Sequence, residues 1–541
     1  MRAAVQILAT TGVPRYTAPP LWAALVILSV LSVVVARVAG PGDMYEKDQP
    51  KTLAYTVDML LNHRYSLPRD VLGQPATKPP LYNWLALAVV GPLHRFDEFA
   101  MKWPSIAGTI AVALLCAGMC RLLLWGHESA EFAAAAGTLA GAIWIANIPM
   151  LRLMYLARPD MVQAAMLTGA WMSATIALRR DSNREARPAA TLFWICVTGA
   201  ALAKGPAALF AIAYGLLAAP LVAGSFRQAR RLGWEWGLPL ALACVGLWLW
   251  FAYRQDPQHV MDVLINRELL HRAVSASPEG ITHEFYMPTL WFGAKFLPWS
   301  ALALVPVLAL WRRLWVGHEL TPALLWLAII ILGLSVSAGK RIDYLLPAYA
   351  PGSVLAAWTI MKAQQLVSRR WRFAAPWPAA IAILAMCAYL IAYNFRRTDE
   401  AKFRFTDHTV AFVHQVQKKV QDEGVVVLVR GKHPISTLLG QHQGDGPDDQ
   451  MLRSANWLIA PEIKGASPQL VSDIVPIGFE VLTQRPRGRI ALYRLDGSPG
   501  TPQLSLLQAM RDQMLTWTPL DNPYRSPKTD ALLTRSPAPS R

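Results

Sequence analysis

The residues in this chain that could do chemistry are two aspartates and a set of cations spread over distant stretches. Asp48 opens an amphipathic segment, and Asp160 closes the run L-A-R-P-D at 156–160. Lys204 stands before Gly205 and Pro206, and Lys340 and Arg341 precede an apolar run that begins at Tyr344. Arg158 lies two residues before Asp160. Two carboxylates with several lysines and arginines suit transfer of a group from a phosphate. Cations would hold the phosphate leaving group while a carboxylate takes the proton of an attacking hydroxyl. Each residue also has a plainer explanation. Asp48 suits a helix cap worth about 1 kcal/mol, Asp160 a partner for Arg158, and Lys204 or Lys340 a lysine reaching toward lipid phosphate from a helix end.

The elements that must position these groups are membrane spans. The chain has 541 residues, 54% of them hydrophobic and 16% charged, with 21 tryptophans, which is too apolar for a soluble protein of this size. Its net charge of +17 is the sign expected at cytoplasmic helix ends and against anionic lipid headgroups, not a nucleic-acid footprint. Cys116, Cys120, Cys196, Cys244 and Cys387 all fall inside apolar runs, so neither a disulfide framework nor a zinc site is expected.

Residues 20–39 read as an uncleaved signal anchor after a cytoplasmic segment 1–19. Further apolar runs carry the membrane domain to residue 394. Arginines and lysines recur at 179–187, 227–231, 312–313 and 362–372. Placing all four groups in the cytoplasm puts the intervening connections outside, together with a polar loop at 41–80. That arrangement requires 81–93 to dip into the membrane or lie along it. It gives about eleven spans, or up to thirteen if irregular segments cross.

Within the outer loop, Leu53, Val57, Leu60 and Leu61 recur at helical spacing, predicting an amphipathic helix over 49–62 with Asp48 at its N-cap. The polar loop crowds Asp43, Glu46, Asp48, Asp58 and Asp70 among Lys47, Lys51, Arg64, Arg69 and Lys78, more opposed charge than a mere connection needs. After residue 394 the pattern changes to a helix followed by short apolar runs at 425–429, 457–460 and 490–495. These predict a small α/β domain over 395–517 on the outer side, and a disordered Pro, Ser and Arg-rich tail at 518–541.

These motifs, taken in order, resemble the C-type (GT-C) membrane glycosyltransferases. The likeness is to the bacterial branch that contains lipid A aminoarabinose transferase and to its protein O-mannosyltransferase (glycosyltransferase family 39-like) relatives. The resemblance rests on Asp48, Gln49, Lys51, Met59, Leu60, Tyr65, Pro68 and Arg69, and on K-P-P-L-Y-N-W from Lys78 to Trp84. It continues through L-A-R-P-D at 156–160, A-K-G-P at 203–206, F-Y-x-P at 285–288, F-L-P-W at 296–299 and G-K-R-x-x-Y-L-L-P at 339–347. It covers about residues 20–360.

The resemblance implies an inverting transfer from a polyprenyl-phosphate sugar to an envelope lipid or glycan on the periplasmic face of the bacterial inner membrane. Asp48 and Asp160 would then be the catalytic carboxylates, and Lys78, Lys204, Lys340 and Arg341 would bind the donor phosphate. Lys51, Arg158 and Tyr344 would support them. Two positions depart from the pattern: Gln49 replaces an acidic residue, and Thr77 replaces a glutamate that resembles a metal ligand in the aminoarabinose branch. A neutral hydroxyl is a poor ligand for a divalent ion, which leaves divalent-cation use open, with His63 and His283 as substitute ligands. The competing readings are a protein O-glycosyltransferase of the same fold and a lipid or sugar transporter. A transporter would carry its ionisable groups near the bilayer midplane, whereas here they stand at span ends on one side.

Overall fold

The computed structural model describes residues 20–43, 48–70, 74–93, 97–271, 284–310, 318–337, 340–371, 377–397 and 401–421, and beyond these a few short segments up to residue 494. The architecture is helical. In chain order α1 is Pro20–Ala39, α2 Asp48–Asn62, α3 Leu81–Leu93, α4 Glu98–Leu124, α5 Ala130–Ile145, α6 Ile148–Leu153, α7 Asp160–Leu178, α8 Asn183–Lys204 and α9 Ala208–Ala223. After α10, Trp234–Gln255, the chain turns into a π-helical stretch, Val260–His271. Then follow α11 Met287–Lys295, α12 Trp299–Leu310, α13 Thr321–Val336, α14 Leu346–Trp371, α15 Trp377–Arg396 and α16 Ala401–Val420.

Among the described residues six helices, α1, α4, α7, α8, α10 and α15, are long and apolar enough to cross a bilayer, and shorter apolar helices accompany them. Large apolar side chains such as Leu28, Leu114, Leu242, Leu308 and Ile381 face outward, a surface that only lipid covers without penalty. The chain is a multi-pass membrane protein.

Contacts between helix ends sort the connections into two sides. On one side Arg37 at the end of α1 meets Asp43, and Asp43 meets Lys102, one turn into α4. Asn394 at the end of α15 donates to the Ala36 carbonyl of α1 at 2.9 Å. Near the opposite helix ends Lys362 pairs with Glu128, Arg179 caps the Leu122 carbonyl and Arg231 caps that of Leu178. The basic connections of Arg179, Arg231 and Lys362 therefore share a side, and the polar loop after α1 lies on the other. Arg312 and Arg313 fall outside the described residues.

Helix α3 stays on the side of the polar loop. Asn83 in its first turn donates to the Thr52 carbonyl of α2 at 2.6 Å, and Tyr82 and Trp103 tie it to the opening turns of α4. Leu53 and Val57 of α2, Tyr82, Ala86 and Val90 of α3, and Met101 of α4 share one apolar cluster. The same cluster runs into α16 through Phe412, Val413 and Val416, and into a four-stranded sheet through Trp457, Ile459 and Leu492. The strands are β1 Val425–Val427, β2 Trp457–Pro461, β3 Ile477–Gly478 and β4 Arg489–Arg494, in the order β1-β2-β4-β3. β1 and β2 run parallel and the other pairs antiparallel. The tail at 518–541 lies outside the described residues.

Candidate functional site

Two helix ends meet on the side of the polar loop, the start of α7 and the end of α8. Helix α7 starts at Asp160 because Pro159 ahead of it fixes the backbone and lacks an N–H that a helix could use. Its start lies close against α4: Ser105 Oγ donates to the Leu156 carbonyl at 2.5 Å. A β-carbon on Gly108 would come 2.9 Å from the Met161 carbonyl oxygen, so this approach requires glycine. Helix α8 ends at Lys204, where Gly205 takes a φ of +76°. That conformation is open to glycine and costs an L-residue roughly 1–2 kcal/mol. The Gly205 N–H returns to the Ala201 carbonyl at 2.7 Å, leaving Lys204 at the carbonyl-rich end of the helix, where a cation is favoured.

These two ends place Lys204 Nζ 2.5 Å from Asp160 Oδ1 and 4.5 Å from the centre of the Tyr344 ring. Arg158 lies on the other side of Asp160, its Nε 3.2 Å from Oδ2. Its Nη1 donates at 2.9 Å to Asp343, which also faces Arg152 at 3.6 Å. Arg158, Asp160, Lys204, Asp343 and Tyr344 thus form one connected array. Lys340 is half-buried and Arg341 exposed beside it, in the stretch leading to the short helical turn Ile342–Leu345.

Asp48 stands in a different relation to the cations. It is the first residue of α2 itself, not the cap residue before the helix, a one-position difference from the sequence expectation that follows from Pro50 fitting the first turn. Its backbone carbonyl accepts from Thr52 Oγ1 at 2.9 Å. Among the described residues no side chain or amide is recorded bonding its carboxylate. Burial pushes the Asp48 carboxyl up, but Lys78, Arg158 and Arg341 outweigh both burial and the repulsion of Asp160, and hold it below the usual carboxylate range. Lys78 is half-buried, and burial pulls its ammonium below the ordinary lysine value. The neighbouring Lys204 and Arg158 act in the same sense, opposed by Asp48 and Asp160. One electrostatic network therefore links the six groups: Asp48 feels Lys78, Arg158, Arg341 and Asp160, and Lys78 feels Lys204 as well as both carboxylates.

The other carboxylates of the polar loop build the loop. Asp58 is fully buried, accepting from the Arg69 N–H at 2.6 Å and from Asn62 Nδ2 at 2.7 Å, with Arg64 3.6 Å away. Asp70 holds the Gln74 N–H at 3.0 Å and faces Lys51 at 3.8 Å. Lys51 therefore belongs to the loop's own framework. The turn carrying Lys78 is fastened from outside by Trp248, which donates to the Ser66 carbonyl at 3.0 Å, and by His259, whose Nε2 is 3.1 Å from the Ala76 carbonyl.

His63 ends α2 in a left-handed conformation, is exposed, and lies 3.0 Å from the Tyr65 hydroxyl. His283 lies outside the described residues. Among the described residues no three of His, Cys, Asp and Glu converge as metal ligands. Asp160 is already flanked by two cations, and Thr77 adds only a neutral oxygen. These donors do not fit a resident divalent ion.

Sequence reading overlooked Asp343, Gln49 as a structural residue, and the Asp43–Lys102 pair. Asp343 sits inside the motif that supplied Lys340, Arg341 and Tyr344, so an acid among three candidate residues was the available signal. Nothing in the spacing points from Asp43 to Lys102, 59 residues away.

No family model matches the chain. The undecaprenyl phosphate-alpha-4-amino-4-deoxy-L-arabinose arabinosyl transferase 1 of Sodalis glossinidius (strain morsitans) is 25% identical over 393 residues, covering 69% of this chain and 65% of that protein. The corresponding transferase of Yersinia enterocolitica is 24% identical over 327 residues, 58% of this chain and 55% of its own length. The chain thus matches under two thirds of the length of these curated relatives. Among solved structures, ArnT from Cupriavidus metallidurans bound to undecaprenyl phosphate superposes with a TM-score of 0.66 at 14% identity, covering 90% of this chain and all of that one. The same protein in the apo state gives 0.60, also at 14% identity, over 86% of this chain and 97% of that one. At such identity the likeness is one of fold, and this chain has the fold of ArnT, the GT-C architecture that its motifs resemble.

Proposed function

We propose that this chain is an integral-membrane glycosyltransferase. It moves a sugar from a polyprenyl-phosphate donor to an envelope lipid or glycan, at the outer, periplasmic face of a bacterial inner membrane. The observation that carries this reading is the contrast between its two carboxylates. Asp160 is fixed by Lys204 and Arg158, whereas Asp48 is ionised by the field of the cations and accepts no side-chain hydrogen bond among the described residues. The first carboxylate organises cations, and the second is available to a substrate hydroxyl.

In the proposed reaction an acceptor hydroxyl attacks the anomeric carbon from the face opposite the phosphate. The new C–O bond forms as the bond to the phosphate oxygen breaks, through an oxocarbenium-like state. Asp48 takes the hydroxyl proton, and the lipid phosphate departs with the bonding pair. Lys78 and Lys204, with Lys340 and Arg341, stabilise the charge that develops on it. The names of the relatives and the bound undecaprenyl phosphate of the structural neighbour support a lipid-phosphate donor. The excess of cations over carboxylates around Asp48 agrees with an anionic group binding there.

The test is to follow envelope lipids and glycans by mass spectrometry in a deletion strain complemented with the parent or with Asp48→Asn. The parent is expected to restore a sugar that the Asn variant does not; equal restoration would remove Asp48 from the chemistry. For the orientation, a cysteine at Thr77 should react with an impermeant thiol reagent added to whole cells, and one at Ser182 should not. The reverse pattern overturns the assignment of sides.

A further inference from the structure

Behind Asp48 lies a second group of charges that takes no part in the proposed chemistry. Arg37 and Lys102 both donate to the Asp43 carboxylate. Lys102 also donates to Glu98 at 2.6 Å, and the Arg37 guanidinium reaches the carbonyls of Leu151 at 2.9 Å and Pro41 at 3.1 Å. Both cations lie over the Tyr155 ring, at 5.0 and 4.7 Å. Arg37, Asp43 and Lys102 are almost completely shielded from solvent. The cluster fixes the ends of α1, α4 and α6 in one place.

One residue connects this cluster to the candidate site. Gln49 is fully buried; its Nε2 donates to the Asp43 carbonyl, and its Oε1 accepts from the Ala157 N–H at 2.9 Å. Both partners are backbone groups, one an obligate acceptor and the other an obligate donor, so the orientation of the amide is fixed. Gln49 follows Asp48 directly, and Ala157 directly precedes Arg158. The two contacts therefore tie the neighbour of Asp48 to the neighbour of Arg158 across 108 residues of sequence.

We infer that Gln49 is the positioning residue of this site: a neutral strut that sets Asp48 against the 156–160 turn, braced on the buried Arg37–Asp43–Lys102 cluster. This rests on the glycosyltransferase reading above. At neutral pH the glutamine amide suits this place because it both donates and accepts without a charge. A glutamate would set a bare oxygen against the Asp43 carbonyl, and a leucine would leave both backbone groups unsatisfied.

The experiment measures kcat and donor KM for Gln49→Leu and Gln49→Glu in proteoliposomes, with a polyprenyl-phosphate sugar donor, from pH 5 to 8. Gln49→Leu should lower kcat on the order of 10²-fold, the cost of a misplaced reacting group. Its donor KM should change by less than about threefold, because Lys78 and Lys204 are untouched. Gln49→Glu should be as poor at neutral pH and recover as the pH falls, since the protonated acid supplies the missing donor. That carboxyl would face Asp43, Arg37, Lys102, Glu98, Tyr155, Asp48 and Arg158; burial and the adjoining carbonyl favour its neutral form.

Gln49→Glu is read as the ratio of its kcat to the parent's across pH, which needs no Gln49→Leu protein; this covers the case in which Gln49→Leu does not fold. A Gln49→Leu enzyme with parental kcat, or a Gln49→Glu profile parallel to the parent's, overturns the inference. If the parent itself transfers no sugar in this assay, the functional reading fails instead.

Discussion

Lys204 and Asp160 are 44 residues apart in the chain, and their Nζ and Oδ1 atoms are 2.5 Å apart in space. The pair joins the end of one membrane helix to the start of another, with both side chains largely shielded. A buried charge left without its partner is costly, typically about 3–5 kcal/mol. Lys204→Met should therefore destabilise the protein by about 3 kcal/mol, the lower end applying because Arg158 still faces Asp160. Adding Asp160→Asn to Lys204→Met should cost less than the two single changes summed, since the residues are in contact. Thermal unfolding of the purified variants in detergent reads this. Strict additivity would mean that the pair does not couple.

Asp48→Asn should lower kcat by about 10²–10⁴-fold, the range for loss of a general base, with little change in donor KM. The pH dependence follows from the field around Asp48. Its carboxyl is held below the usual range in the free protein, so its ionised form is lost only as the pH falls through that depressed value. A bound donor phosphate screens Lys78 and Arg341 and lets the value rise. The acid limb of kcat, which reports the substrate complex, should thus lie at higher pH than the acid limb of kcat/KM. Coincident limbs would separate Asp48 from the phosphate.

Lys78→Ala should raise donor KM by about tenfold, consistent with losing one charge-assisted contact of roughly 1.5 kcal/mol. Burial lowers the Lys78 ammonium, so its charge is lost on raising the pH earlier than for a free lysine. Donor binding by the parent should weaken over that alkaline range, and in Lys78→Ala the weakening should be absent. Steady-state transfer kinetics measure the first, and titration with undecaprenyl phosphate alone across the alkaline range measures the second.

Asp43→Asn removes the charge that both Arg37 and Lys102 face. It should destabilise the fold by about 3 kcal/mol or more, and more than Lys51→Met, whose partner Asp70 lies 3.8 Å away. Comparing the two thermal midpoints decides whether the cluster behind α2 or the loop's own framework matters more to stability.

The membrane architecture was legible in the sequence because the hydrophobic effect writes spans as contiguous apolar runs, and because basic residues mark one set of helix ends. The amphipathic helix beginning at Asp48 was legible for a similar reason, since helical periodicity is a local property. The polar loop's charges looked equivalent in the sequence, and the structure divides them. Asp43, Asp58 and Asp70 are held inside ion pairs and backbone contacts, while the Asp48 carboxylate accepts no recorded bond among the described residues.

By itself, then, the sequence determined the class of protein, the order of its elements and the residue types gathered near helix ends. Only tertiary structure decided that Asp160 is paired with Lys204 and Arg158. It also brought the Gln49 side chain between the Asp43 carbonyl and the Ala157 N–H. The reason is physical: an aspartate's state depends on the cations that packing brings within a few ångströms, and those arrive from helix ends tens to hundreds of residues away.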